Sequence, residues 1–138
     1  MKLSCWVALL TFFTTGTVVL TGCHRNSAGP CVPVKGKVTL GGKALVGGTV
    51  TLIPVEGEGN RPRPGGDIDD QGNYSVKTAG TEGAPVGKYR AIVTTSGLDK
   101  KQDSQFNIIY SHWEKSPLHI EVKETPAAGA YDLKLMPR

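Results

Sequence analysis

The fold class follows from the pattern of the stretch VKGKVTLGGKALVGGTVTLIPV, residues 34–55. Over 34–40 small or apolar residues alternate with Lys and Thr, and a second alternating run follows around Val50 and Leu52. A period of two places every second side chain on one face, which predicts half-buried strands. Gly41-Gly42 predicts the turn between them, since glycine readily adopts positive φ. Pro54, which lacks a backbone N–H, predicts a strand end or edge.

The same alternation returns along the rest of the chain. Between the alternating runs lie a polar Gly/Pro loop at 56–66 and a turn at 69–72. The runs themselves predict further strands. The side chains predicted to point inward are Tyr74, Val76, Tyr89, Ala91, Val93, Leu118, Ile120, Val122, Tyr131, Leu133 and Leu135. No stretch after residue 22 has a sustained helical period. Six or seven short strands with turns between them predict an all-β sandwich.

Three spaced motifs resemble one known family. They are V-x-G-x-V-x-L-x-G-x-x-L-x-G-x-x-V-x-L-x-P from Val34 to Pro54, D-x-x-G-x-Y from Asp69 to Tyr74, and P-x-G-x-Y-x-x-x-V from Pro85 to Val93. Together they resemble the carboxypeptidase regulatory-like domain. The resemblance implies a transthyretin-like, Ig-like sandwich of about seven antiparallel strands. Its motifs are structural and imply no catalytic residue.

The N-terminal residues have the features of an export signal. Lys2 is followed by an uncharged run from Trp6 to Leu20, which is shorter than the ~20 residues needed to span a bilayer as a helix. This pattern predicts a cleaved signal peptide. Leu20-Thr21-Gly22-Cys23 resembles the bacterial lipobox, which implies cleavage between Gly22 and Cys23 and acylation of Cys23, for example with palmitate. The alternatives are an ordinary signal peptide cut nearby or an uncleaved anchor.

These observations divide the chain into three parts. Residues 1–22 form the predicted signal peptide, 23–33 the lipidated N-terminus and a polar tether, and 34–138 the β-sandwich. In lipoproteins of this kind Asp after the cysteine indicates inner-membrane retention; His24 therefore favours the outer membrane. Once Cys5 is removed and Cys23 acylated, no cysteine remains for an internal disulfide with Cys31, so we expect either an intermolecular disulfide or, as the favoured interpretation, a linker cysteine without a role.

Charge and composition argue against several classes of function. The net charge is +4, and Lys2 is the only charged residue within 1–22, which leaves +3 on the remainder. These charges are scattered, so no nucleic-acid partner is predicted. His24, His112 and His119 are too dispersed for a zinc set. No metal, no cofactor and no catalytic constellation is predicted.

The acidic group Asp67, Asp69 and Asp70 has two interpretations. Three carboxylates in four residues can attract calcium. However, the twelfth position counted from Asp67 is Thr78, where a calcium-binding EF-hand loop needs Glu. The favoured interpretation is an Asx-type turn between two strands.

Residues 97–117 lack strand alternation, and they contain the candidate partner surface: Tyr110, His112 and Trp113. Aromatic rings beside polar groups bind proteins and saccharides well. Alternatively, Tyr110 and Trp113 cover the end of the core. We expect a non-catalytic, lipid-anchored cell-envelope protein with a structural or protein-interaction role. A carbohydrate- or peptidoglycan-binding module is the alternative, and an accessory domain that assists an enzyme in trans is the third.

Overall fold

The computed structural model describes residues 30–56, 62–95 and 100–138. The predicted signal peptide, its cleavage site at Gly22 and the lipidation site at Cys23 lie outside these residues. The described part is all-β, as the alternation predicts, and its strands form a sandwich.

Twelve strands occur among the described residues. They are β1 Cys31–Val32, β2 Lys35–Leu40, β3 Lys43–Ala44, β4 Thr49–Pro54, β5 Gly65–Asp67, β6 Asn73–Ser75, β7 Lys77–Thr78, β8 Thr81–Glu82, β9 Ala84–Pro85, β10 Gly87–Thr94, β11 His119–Val122 and β12 Leu133–Leu135. A short helix α1, Lys100–Gln105, and a 3₁₀ helix, Ile108–Ser111, lie between β10 and β11.

The strands form two main sheets and a short ribbon. One sheet has six strands in the order β11-β10-β4-β5-β7-β8. The other has the order β12-β2-β3, with β6 also paired to β2. The ribbon pairs β1 with β9. Neighbouring strands are antiparallel except β12, which runs parallel to β2 with Leu133 opposite Val38.

The core between the sheets contains the side chains that the alternation places inward. Val38 of β2, Leu52 of β4 and Val93 of β10 have no exposed surface. The predicted inward residues from Tyr74 to Leu135 are all buried in one cluster. This burial confirms the prediction of which side chains point inward. The physical reason is that each strand has one apolar face, and a sandwich buries these faces against each other.

Several boundaries differ from the sequence prediction. The seven predicted strands correspond to β2, β4, β5, β6 with β7, β10, β11 and β12, whereas four of the five two-residue strands, β1, β3, β8 and β9, were not predicted. Such short strands contain too few residues to show a period. The predicted tether, 23–33, extends too far, because Cys31 and Val32 already pair with Pro85 and Ala84.

Gly66 and Gly36 allow strands to approach each other closely. Gly66 lies in β5, although Gly65 and Gly66 were predicted to end a loop. A Cβ on Gly66 would overlap the carbonyl oxygen of Ser75. A Cβ on Gly36 in β2 would overlap the carbonyl oxygen of Tyr131. Glycine is therefore needed at both positions for close backbone contact rather than for turn formation.

Candidate functional site

The predicted partner surface is only partly assembled in the structure. Tyr110 is buried, with 4% of its surface exposed, so its place in an exposed surface is a wrong prediction. Its ring packs edge-on against Phe106, with centroids 6.1 Å apart, and its hydroxyl accepts a 2.9 Å hydrogen bond from the backbone N–H of Met136. Tyr110 thus covers one end of the core, as the alternative interpretation predicts.

Trp113 and His112 are exposed. Trp113 keeps 46% of its surface accessible, which does not fit a role as a core cover. His112 ends the 3₁₀ helix and borders a depression of about 440 Å³ together with Ser111, Ile108 and Arg138. Trp113 does not line that depression. The structure therefore separates the three predicted residues into a core residue, a depression and a neighbouring exposed aromatic ring.

Arg90 fixes the backbone that carries Trp113. Its Nη1 donates hydrogen bonds of 2.9 Å and 3.1 Å to the carbonyl oxygens of Trp113 and Glu114. Its Nε is buried without a hydrogen-bond partner in the described part of the chain. The alternation places Arg90 on the outer face of β10, but no sequence signal connects it with a tryptophan 23 positions later.

A second surface feature is an open groove of about 870 Å³ that is lined mainly by residues of β2, β5 and β6. Its charged lining residues are Lys35, Lys37, Lys77, Asp67, Asp69 and Asp132. The polar residues Thr49, Asn73 and Ser75 also line it. Sequence reasoning missed this groove, because its residues come from segments that are distant along the chain.

The three carboxylates of the groove are engaged in hydrogen bonds within the protein. Asp132 accepts a 2.9 Å bond from the backbone N–H of Lys37. Asp67 accepts a 3.0 Å bond from the Thr49 hydroxyl. Among the lysines of the groove, Lys35 Nζ lies 2.8 Å from Glu82 Oε1, and this hydrogen bond lowers the pKa of Glu82. Much of the groove's charge is thus used to hold strands together.

Asp69 forms the predicted Asx-type turn. Its Oδ1 accepts bonds from the backbone N–H groups of Asn73 at 2.7 Å and Gln71 at 2.9 Å. These bonds, with the Asn73 backbone contact dominant, hold the pKa of Asp69 below its usual value. The turn interpretation of the acidic group is confirmed. In residues 30–56, 62–95 and 100–138 no three His, Cys, Asp or Glu side chains are grouped to hold a metal ion.

The described surfaces thus define an all-β sandwich domain with a polar groove and an exposed tryptophan. The chain matches no protein-family profile, no curated protein and no solved structure. Where the structure describes the chain, it contains no helix with the length and apolar character of a membrane span.

Proposed function

We propose that this chain is a non-catalytic, lipid-anchored protein of the cell envelope with a structural or protein-interaction role. Cys23 is the anchor, and the outer membrane is favoured over the inner. The observation that carries the proposal is the position of β1. The folded domain starts at Cys31, only eight positions after the lipobox cysteine.

This spacing favours a domain held next to the bilayer. Eight residues reach at most about 29 Å when fully extended. Because β1 pairs with β9, the chain enters at the end of the sandwich from which β10 starts. The 3₁₀ helix lies at the far end of β10, where the Ser111 hydroxyl donates a 2.9 Å bond to the Val93 carbonyl. In this arrangement the end bearing the 3₁₀ helix faces away from the membrane, towards other envelope components.

The resemblance to carboxypeptidase regulatory-like domains supports a role without catalysis. The positions of the family motifs have structural roles in this chain. Gly36 permits a close approach of the backbone, and Tyr74 and Tyr89 are core residues. The groove carboxylates of Asp132, Asp67 and Asp69 accept hydrogen bonds from other residues of the protein. A binding or scaffolding role fits this distribution of polar groups.

Metabolic labelling with a palmitate analogue tests the anchor. We expect the parent chain to incorporate label and to fractionate with outer membranes. Cys23→Ser should lose both properties, whereas the matched control Cys31→Ser should retain both. Unlabelled parent chain, or label retained by Cys23→Ser, would rule out Cys23 as the anchor.

Crosslinking in intact cells, followed by mass spectrometry, tests the interaction role. We expect discrete protein adducts that disappear with Cys23→Ser, since that chain no longer resides at the membrane. Adducts that carry only saccharide would contradict a protein partner and favour the second candidate below.

The second candidate function is binding of a carbohydrate, in particular peptidoglycan. It is favoured by Trp113, a residue that is 46% exposed and whose backbone is held by Arg90. Exposed aromatic rings on a fixed backbone stack well against sugar rings. Purified peptidoglycan should then retain the parent chain in high salt and release Trp113→Ala. Ile108→Ala, a control at another exposed apolar residue, should remain bound. Equal retention of both variants would exclude this use of Trp113.

A further inference from the structure

At one outer edge of the six-stranded sheet, some backbone groups have no partner among residues 30–56, 62–95 and 100–138. This edge is β11, which among the described strands pairs only with β10. Ala91 N–H donates a 2.9 Å bond to Leu118 O, and the register places His119 opposite Arg90. In an antiparallel pair the bonding direction alternates along each strand. His119 and Glu121 therefore direct their N–H and C=O groups away from the sheet, and no described residue bonds to them.

The positions on either side of these four groups are already satisfied. The hydroxyl of Tyr131 contacts both the N–H and the carbonyl oxygen of Lys123, at 3.3 Å and 3.4 Å. On the other side Pro117 has no N–H, and its carbonyl oxygen lies 2.9 Å from His119 Nδ1. The free edge is thus restricted to His119 and Glu121.

We propose that β11 pairs antiparallel with β11 of a second copy of this chain, about a two-fold axis at Ile120. His119 of each copy then lies opposite Glu121 of the other. All four free backbone groups of each copy are bonded, and a carboxylate faces an imidazole in both symmetric pairs. At the flanks Pro117 meets Lys123 of the second copy, and neither needs a further backbone bond.

Other registers use this edge less well. Opposing His119 with His119 leaves Glu121 facing Pro117, which cannot donate a backbone bond. Opposing Glu121 with Glu121 brings like charges together and matches His119 with Lys123, whose backbone groups are occupied. Two charged groups face Glu121 within its own copy. Lys123 Nζ lies 2.9 Å from the carboxylate, and Lys88 lies directly opposite Glu121 on β10. The register centred on Ile120 is the one in which every free group finds a partner.

This inference rests on the proposed structural role and names its partner as a second copy. The continuous sheet would cross from one copy to the other. The pairing is short because satisfied groups limit both ends of the edge, as in natural sheets that avoid uncontrolled aggregation. The structure therefore favours a closed dimer over an open fibre.

Mixed disulfide trapping tests the register in the full chain in detergent. Two differently tagged chains, both with Cys31→Ser, carry either His119→Cys or Glu121→Cys. Directly opposed residues in such a pair have Cα atoms about 5.5 Å apart, within the range of a disulfide. We expect the mixed disulfide to exceed either like-with-like disulfide several-fold. Thr81→Cys on β8, the opposite edge of the same sheet, should give only background.

Charge reversal tests the same pairing without cysteine. Sedimentation of the detergent-solubilised chain should show a dimer, and Glu121→Lys should weaken it about tenfold, since the two contacts between the Glu121 carboxylate and the His119 imidazole are lost. The double variant His119→Glu with Glu121→Lys should restore it. Circular dichroism confirms that the variants fold.

Three results would overturn the proposal: a monomeric parent chain, equal trapping of all cysteine pairs, or a different protein bound at this edge and released by Glu121→Lys. Palmitate labelling and crosslinking of other partners do not depend on this edge. A failed dimer test therefore leaves the proposed function to its own experiments.

Discussion

The hydroxyl of Tyr74 donates a 2.6 Å hydrogen bond to the carbonyl oxygen of Tyr131, 57 positions later in the chain. Tyr74 lies in β6 and Tyr131 immediately precedes β12, and these two strands flank β2. The bond is buried, and it connects β6 with the segment that leads into β12, on the two sides of β2. Burial, with the nearby charge of Asp132 as a smaller cause, also raises the pKa of Tyr74.

Removing this hydroxyl should destabilise the fold. We expect Tyr74→Phe to lower the free energy of unfolding by about 1–3 kcal/mol, because a buried carbonyl loses its partner. Tyr131→Phe is the matched control. Its hydroxyl contacts are 3.3 Å and 3.4 Å long and part-buried, so we expect a cost below about 1 kcal/mol. Urea unfolding measures both, and equal costs would contradict the importance assigned to the Tyr74 bond.

Gly36 should tolerate no side chain. Because its Cβ would overlap the Tyr131 carbonyl oxygen, we expect Gly36→Ala to cost about 3 kcal/mol through displacement of backbone. Gly80 is the comparison, with φ at +86° and open space around its Cβ position. Gly80→Ala should cost about 1–2 kcal/mol from backbone strain alone. If thermal unfolding ranks the two variants in the opposite order, the close approach at Gly36 is not limiting.

Asp69 should make stability depend on pH in the acid range. The pKa of Asp69 is lower in the folded chain than its ordinary value of 3.8, so its contribution is fully present above that value. The contribution is lost as the pH falls from there through the folded pKa. Asp69→Asn should therefore lower the melting temperature at neutral pH, and the difference from the parent should shrink below about pH 4.

Asp70→Asn is the control for this measurement, since Asp70 is exposed and its side chain bonds to no described residue. Its melting temperature should follow the parent at every pH. A difference between Asp69→Asn and the parent that stays constant into the acid range would show that the carboxylate charge is not responsible.

Arg90 should control the mobility of Trp113. Arg90→Met removes both bonds to the Trp113 and Glu114 carbonyls, so acrylamide should quench Trp113 fluorescence more strongly. The stability cost should be about 1 kcal/mol, because Arg90 is half-buried. In the parent and in the Arg90→Met variant, Trp6→Phe removes the only other tryptophan of the sequence. Lys88→Met, the adjacent outward position of β10, should leave quenching unchanged, and an equal increase there would contradict the role of Arg90.

The fold class and most of the core could be predicted from the amino-acid sequence. Alternation in segments such as 34–40 and 87–94 fixes which side chains face inward, because successive residues of a strand point to opposite faces. The Asx turn at Asp69 was also predictable, since its bonds reach only two and four residues ahead. Local chemistry and a period of two were sufficient for these features.

The long-range relationships between residues could be read only from the three-dimensional structure. It decided that Tyr110 is buried while Trp113 is exposed, although both are aromatic residues in one irregular segment. It also placed Asp132 on the N–H of Lys37 and left the outward backbone groups of His119 and Glu121 without a partner among the described residues. The physical reason is that strand order and register depend on contacts between segments far apart in the chain. A local pattern assigns a residue to a face, but it does not identify the neighbour across from it.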